Sequence, residues 1–490
     1  MPELTRRNLL GGMAAAPAAL PAGIPGQPPA EPLNLIVIVA DTWGAHWMGC
    51  YGHDQVRTPH ADALAGKSAL FLDAYPQALP TLPVRRALYT GRNIFPGQLI
   101  LQRDDPVKIR GWHPLYTEDV TLAETLQAAG YTTALISDVY HQFKPDKNFH
   151  RGFECWRWIR GQEGDRLESG PRKGINLANY LHPSQPVPRS PKGGPMQYLM
   201  NRRGWKSEDD WLAAQVFRDA SRWLGNNVED SRPFYLHVES FTPHEYWDPP
   251  ENYYRQYMKE NYSGPWLISP PATTEKMSPV EVAHARALYA GLVAFTDHCL
   301  GKFLQEVEAL GLMKNSLIVF TADHGTMMGE QGQIHKGETR IRTQVTQVPL
   351  LVYHPQRRWA GRRIGGFVQH IDVMPAVLDL LSVKIPARVT GESLRPLIEG
   401  GGRRKEWIVT GWGEHGAVRT PEWCYVGRWS EGPRHEELYD LKRDPLELSN
   451  VAGSHPSVVE KFRSTLKRYV DEGWAVTGGS FATVLKGPQG

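Results

Sequence analysis

Cysteine is scarce: four residues in 490, at positions 50, 155, 299 and 424, none close enough to another to form a CxxC pair. That spacing argues against a zinc knuckle, and a single disulfide in an oxidising compartment stays open and unassigned. Charge of one sign is equally lacking. The chain sets 55 basic against 52 acidic side chains, a formal net charge of +3. Without a concentrated basic stripe there is no footprint for nucleic acid, and the pairs Arg357-Arg358, Arg362-Arg363 and Arg403-Arg404 read as solvated loops. There is no internal repeat and no uninterrupted apolar run of about twenty residues, so no integral membrane anchor is expected. What is there is ordinary for a globular protein: 41% hydrophobic and 22% charged residues. A chain of this length predicts one large domain with a smaller one beside it.

The first thirty residues differ in kind. Arg6-Arg7 precedes a short, weakly apolar stretch of glycine and alanine and then proline-rich sequence. That order is the layout of a twin-arginine export signal, which implies the twin-arginine machinery as a partner and a periplasmic or secreted mature protein. Residues 1–30 are accordingly set apart from a domain over 31–385 and a second over 386–490.

Residues 33–40 (LNLIVIVA) form a nearly continuous apolar run rich in β-branched side chains, as in a strand buried on both faces. Helical spacing over 120–129 leads into a strand at 131–136, and further strands are expected at 234–238, 316–320 and 348–353. A long amphipathic helix is expected over 280–312 and another over 371–381. Strands alternating with helices predict an α/β fold, a doubly wound and mostly parallel sheet. Past residue 386 the pattern changes to short strands at 407–411, 417–419, 423–426 and 437–441, then a helix over 456–470 that opens on Pro456. This predicts a smaller α+β subdomain. The polar, glycine- and proline-rich stretch 160–208 reads as an insertion over the surface or the cleft mouth.

Three motifs carry chemistry. Asp41 ends the opening strand, where catalytic groups gather in α/β sheets, although an aspartate there also serves as a helix N-cap. Asp323-His324-Gly325 again follows a strand directly, and an adjacent carboxylate and imidazole suit one divalent cation. Oxygen ligands favour calcium, magnesium or manganese, and the imidazole keeps zinc and manganese open. Third, Thr81-Leu82-Pro83-Val84-Arg85 places a hydroxyl at a helix start, where the dipole favours an anionic ester. Arg85 lies on the same helical face one turn on. Taken alone, Thr81 is also an ordinary N-cap residue.

Together these blocks resemble the sulfatase family of the alkaline phosphatase superfamily. VADTWGAHWMGCYGHDQVRTPHADALA is similar to the family's opening, TLPVRRALYTGR to its C/S-x-P-x-R…TGR signature, and RPFYLHVESFTPHEYWDPPENY to its middle segment. IVFTADHGTMMGEQGQIHKG is similar to its metal motif and ELYDLKRDPLELSNVA to its C-terminal end. The resemblance implies one divalent cation on Asp41, Asp323 and His324, shared with Thr81, with calcium or manganese in first place and magnesium or zinc behind them. It implies that Arg85 orients the nucleophile, that His244 and Lys336 meet the anionic oxygens or the leaving group, and that His141 makes a further polar contact. His335, next to Lys336, is the weaker choice for that role.

Three positions depart from the family pattern. Threonine at position 81 does not yield formylglycine, so none is expected. Thr42 follows Asp41 where many sulfatases carry a second aspartate. Asp138-Val139-Tyr140-His141 stands in place of a Lys-x-His segment. The expected chemistry is therefore double displacement on a phosphate or sulfate ester through Thr81. The alternative is a catalytically silent relative that binds sulfated or phosphorylated glycans.

Overall fold

The structure is a computed structural model and describes residues 32–481 apart from 102–104, 106, 145–146, 187–193 and 433–434. The expected export signal lies outside the described residues. Among the described residues no helix is long and apolar enough to cross a membrane, and Cys50, Cys155, Cys299 and Cys424 are all free.

The large sheet is built from β1 (Asn34–Ala40), β2 (Ser68–Phe71), β3 (Thr132–Ser137), β4 (Cys155–Trp158), β5 (Phe234–Ser240), β6 (Ser316–Ala322), β7 (Leu350–Tyr353) and β8 (Arg363–Ile364). Their spatial order is β8-β2-β7-β6-β1-β5-β3-β4. β1 runs parallel to both β5 and β6, and β3 parallel to β5 and β4. The exception is β7, antiparallel to β6 and β2. Every residue of β1, β5 and β6 is buried. Because successive side chains of a strand point to opposite faces, both faces of the sheet's centre must be covered. That explains why these strands read as unbroken apolar runs. The mostly parallel α/β sheet expected from sequence is the one observed.

The principal helices are α1 (Thr81–Thr90), α2 (Leu122–Ala128), α3 (Leu212–Asn227), α4 (Pro279–Ala309), α5 (Val373–Leu380) and α6 (Pro456–Thr477). Local chemistry fixes their starts. Thr121 and Glu124 form a capping box ahead of α2, and Ser278 with Glu281 does the same for α4, whose first residue is Pro279.

A second sheet holds β9 (Ile408–Trp412), β10 (His415–Arg419), β11 (Trp423–Arg428) and β12 (Glu436–Asp440), joined antiparallel in sequence order. Helix α6 lays Val459, Phe462, Leu466 and Val470 into the same apolar cluster as Val418, Tyr425 and Leu438. Its free edge is closed by Ala78–Leu79, which pairs parallel with β9 (Gly411 opposite Ala78, Trp412 opposite Leu79). Those two residues lie just ahead of α1. The C-terminal sheet is thereby stitched to the segment that delivers Thr81, a long-range pairing invisible to local periodicity.

Candidate active site

The site sits beyond the carboxyl ends of three neighbouring parallel strands. The register sets Ala40 opposite Ala322 and Val39 opposite Glu239. Asp41 and Asp323, the next residues of β1 and β6, therefore emerge side by side with Glu239 of β5 next to them. Arg85 reaches in from α1, one turn after Thr81. Its Nη2 lies 3.0 Å from Asp41 Oδ2, its Nη1 2.7 Å from Asp323 Oδ2 and its Nε 2.8 Å from Glu239 Oε2, with every partner fully buried. Nη1 also donates to the main-chain carbonyl of Thr81 at 3.1 Å. The guanidinium thus holds Thr81 through its backbone while tying three carboxylates together.

Glu239 was not picked out from sequence. The signal was there: a glutamate in the middle of FYLHVES cannot stay unpaired in a strand buried on both faces. Burial would raise its pKa, but Arg85 and the His237 imidazole 2.7 Å away outweigh that and hold it at about 2.

Asp41, Asp323 and His324 each present a ligand atom within 4.8 Å of the others, all three residues being buried. His324 Nδ1 faces the Gly325 carbonyl at 3.0 Å, which makes Nδ1 the protonated nitrogen and leaves Nε2 bare. Nε2 is buried without a hydrogen-bond partner, and Asp41 Oδ2, equally buried, has only its ion pair with Arg85. Burial keeps the imidazole neutral, lowering it to about 3. Burial and then Asp323 push Asp41 upward, against Arg85. A neutral imidazole with a bare, buried nitrogen beside a carboxylate whose charge is costly is a donor set that a divalent cation would satisfy.

Thr42 stands where the sequence comparison expected a second aspartate, and it has another use. Its backbone lies in the left-handed region (φ 62°), a genuine outlier for a β-branched residue. In that conformation its N–H donates to Asp323 Oδ1 at 2.9 Å and its hydroxyl to Asp41 Oδ1 at 2.7 Å. It orients both carboxylates without adding a charge.

Thr81 is the first residue of α1, with Pro80 in the capping position. It opens onto a cleft of about 530 Å³ whose lining includes His141, Glu163, His244, Glu245, His335 and Lys336. His244, on the loop after β5, has Nε2 2.7 Å from Lys336 Nζ and Nδ1 3.0 Å from Glu245 Oε2. Burial and Lys336 pull the His244 imidazole down; Glu245, by charge and hydrogen bond, more than offsets them and lifts it to about 9. His141 Nε2 lies 2.9 Å from Glu163 Oε2. His335 is held by Glu245 and by the Pro270 carbonyl and stacks on Trp247 at 4.9 Å, a supporting position beside Lys336. Asp138 has turned away from anion binding. It is buried and accepts from Gln162 Nε2 (2.8 Å) and the Phe241 N–H (2.6 Å), fixing the loop that carries His244.

The residues singled out in sequence therefore fall into one place: Asp41, Asp323, His324 and Arg85 below, Thr81 at the boundary, His141, His244 and Lys336 above. Sequence reasoning missed Glu163, Glu239 and Glu245, the acidic partners that hold the basic groups in position.

The family model described as Sulfatase matches residues 33–383, more than half of the chain. The chain belongs to the sulfatase family. A second model, N-sulphoglucosamine sulphohydrolase, C-terminal, matches residues 338–472. Among curated relatives, this sulfatase-family chain is 26% identical over 441 residues to an ulvan-active sulfatase of Formosa agariphila, covering 86% of the chain and 77% of the relative. It is 24% identical to an arylsulfatase of Clostridium perfringens, covering 86% and 90%. In fold it is similar to the phosphonate monoester hydrolase of Agrobacterium radiobacter, with a TM-score of 0.68 at 22% identity, covering 90% of this chain and 96% of that one. The protein is a sulfatase-like ester hydrolase.

Proposed function

We propose that the protein hydrolyses phosphate or sulfate esters by double displacement through Thr81, with one divalent cation held by Asp41, Asp323 and His324. The observation that carries this reading is the placement of Arg85 Nη1, in contact with both the Thr81 carbonyl (3.1 Å) and Asp323 Oδ2 (2.7 Å). It ties the start of α1 to the carboxylate cluster, which supports reading the Thr81 hydroxyl and the cation site as parts of one centre.

A cation bound there would supply Lewis-acid charge that makes a neighbouring hydroxyl more acidic. The chain's own residues do the rest. The dipole at the start of α1 favours the anionic ester. Thr81 Oγ1 gives up its proton to solvent and bonds to phosphorus or sulfur as the bond to the alcohol oxygen breaks, and His244 delivers a proton to that departing oxygen. Lys336 stabilises the non-bridging oxygens. Water then attacks the phosphorus or sulfur, its proton passing to the deprotonated His244, the bond to Thr81 Oγ1 breaks, and Oγ1 takes a proton from solvent to restore the hydroxyl. A threonyl sulfate lacks the hemiacetal route by which formylglycine sheds sulfate, so a phosphorus ester suits Thr81 better. Export by the twin-arginine route to the periplasm or beyond is supported by Arg6-Arg7 and the small-residue run after it.

The test uses metal-loaded protein with 4-nitrophenyl phosphate, its phosphodiesters and 4-nitrophenyl sulfate, with and without chelator. Turnover that chelator removes is expected, together with a phosphoryl or sulfuryl adduct on the Thr81 peptide in mass spectra of trapped enzyme. Thr81→Ala is expected to lose roughly 10³-fold or more in kcat with its melting temperature unchanged. Full activity in that variant would overturn the assignment, and turnover of the sulfate alone would overturn the preference for phosphorus. Absence of turnover with glycan binding intact would favour a silent binding protein.

A further inference from the structure

Lys336 stands on a stretch with no regular structure of its own. It follows the two-residue strand Ile334–His335 and precedes the short helix Thr343–Thr346. A functional group on such a stretch is placed precisely only where neighbouring contacts lock the chain. At the start, His335 is held by Glu245 and the Pro270 carbonyl. At the end, Arg342 pairs with Glu437 of β12 (Nε to Oε2, 2.9 Å), and the Thr343 N–H donates to Glu447 Oε2 at 3.0 Å. The middle is fastened through Glu338. Its Oε1 accepts from the Glu414 N–H at 2.6 Å and lies 2.9 Å from His415 Nδ1. Burial would raise this carboxyl, but the His415 bond and the Glu414 N–H hold it below the usual carboxylate range.

Glu414 and His415 belong to the tip of the β9–β10 hairpin, and the tip is shaped for this contact. Gly413 sits in the left-handed region (φ 57°), and a Cβ there would fall 2.6 Å from the Glu338 carboxyl carbon. The Glu414 side chain turns to Ser430 at 2.9 Å and to Arg428, while its N–H goes to Glu338. Trp429 steadies the turn, its N–H on the Glu414 carbonyl at 3.0 Å and its Nε1 3.3 Å from the Gly413 carbonyl.

The same hairpin reaches the nucleophile's side of the cleft. The Gly411 N–H donates to the Gln77 carbonyl at 3.0 Å, the Thr410 hydroxyl to the Pro76 carbonyl at 2.6 Å, and Trp412 stands opposite Leu79. Trp412 pairs with His415 at the end of the ladder and itself lines the cleft with Thr81 and Lys336. Leu79 is two residues before Thr81, and Glu338 is two residues after Lys336. One short turn of the C-terminal sheet therefore bridges the backbone that carries the hydroxyl and the backbone that carries the lysine.

We infer that the hairpin tip Trp412–His415 is a spacer that sets where Lys336 stands relative to Thr81, with Glu338 as the positioning residue that couples Lys336 to the tip. This rests on the reading of Thr81 as nucleophile and Lys336 as partner of the non-bridging oxygens. Glu338 lies outside the cleft lining and acts through Lys336. A misplacement of about 1 Å in a reacting constellation costs about 10²-fold in rate, so loosening one end of the spacer reaches the chemistry while the sheet stays intact.

The test is a double-mutant cycle on the full-length, metal-loaded protein, read in kcat/KM for the 4-nitrophenyl esters and in calorimetric titration with inorganic phosphate. Glu338→Ala is expected to lower kcat/KM about tenfold and to weaken phosphate binding about threefold. The Glu338 side chain is 40% exposed, so the melting temperature should stay near that of wild type. Glu338→Gln, which keeps an accepting oxygen for the Glu414 N–H, is expected to restore most of the loss. In a Lys336→Ala background the Glu338→Ala step is expected to change either readout by less than about twofold, because the group that it positions is gone. Unchanged kcat/KM and phosphate affinity in Glu338→Ala, or losses of equal size in both backgrounds, would overturn the spacer and leave the hydrolase reading intact. If no ester is turned over, the hydrolase reading falls and the phosphate cycle decides the spacer, coupled losses supporting it and additive ones overturning it. Neither turnover nor phosphate binding would overturn both.

Discussion

The two halves of the site are built by opposite means. The lower half (Asp41, Arg85, Glu239, Asp323, His324) stands on strand ends and the second turn of a buried helix, and all its side chains are sealed from solvent. The upper half (His141, Glu163, His244, Glu245, Lys336) stands on loops and short turns, with side chains 10–24% exposed. Below, position follows from strand register, and each charge is fixed by neighbours on the same rigid sheet. Above, position follows from pairwise contacts between loops, so substitution can retune a group without dismantling the fold. The lower half should therefore govern whether the enzyme exists as a folded, loaded protein, and the upper half how fast and on what it acts.

Breaking the lower half should give the largest effect. Arg85→Ala leaves Asp41, Asp323 and Glu239 buried without their common partner, and removing one member of such a cluster costs about 3–5 kcal/mol. Denaturant unfolding should register that loss together with loss of turnover. A variant as stable as wild type would mean that the three carboxylates are not held by this arginine. The upper half predicts the contrast. Lys336→Ala should leave the unfolding midpoint nearly unchanged while lowering kcat by about 10²–10³, the usual cost of removing one charge contact to a transition state. Comparable destabilisation in the two variants would erase the distinction between the halves.

The same contrast explains what was legible in the sequence. Asp41, Asp323 and His324 were legible because strand ends in a parallel sheet are found from apolar runs, and the chemistry follows the run by one residue. Thr81 and Arg85 were legible because a helical turn fixes their spacing. Glu239 was overlooked because a single glutamate inside an apolar run looks like an exception until its partner is located 154 positions away. Glu163 lies within the stretch read as a surface insertion, and no periodicity connects it to His141 or His244. The pairing of Ala78–Leu79 with β9 was equally invisible, since two-residue strands carry no pattern. Thr42 departs from the family pattern in sequence, and only its two hydrogen bonds, made from a left-handed backbone, show that it orients the two carboxylates.

The subtlest prediction concerns His244 and its contact with Lys336. Glu245 lifts His244 to about 9, while burial and Lys336 oppose it. The acid form needed to protonate a leaving oxygen is therefore present below that pH and lost as pH rises through it. Glu245→Gln removes the lifting charge, so the alkaline limb of the kcat/KM profile should move to lower pH, toward the ordinary imidazole range. Lys336→Ala removes an opposing charge, so in that variant the limb should move to higher pH even as the rate falls. A purely structural role for Glu245 would lower the rate at every pH without moving the limb. Opposite displacements in the two variants are the signature that one carboxylate and one ammonium compete over the same imidazole, which is what a loop-built, tunable upper half requires.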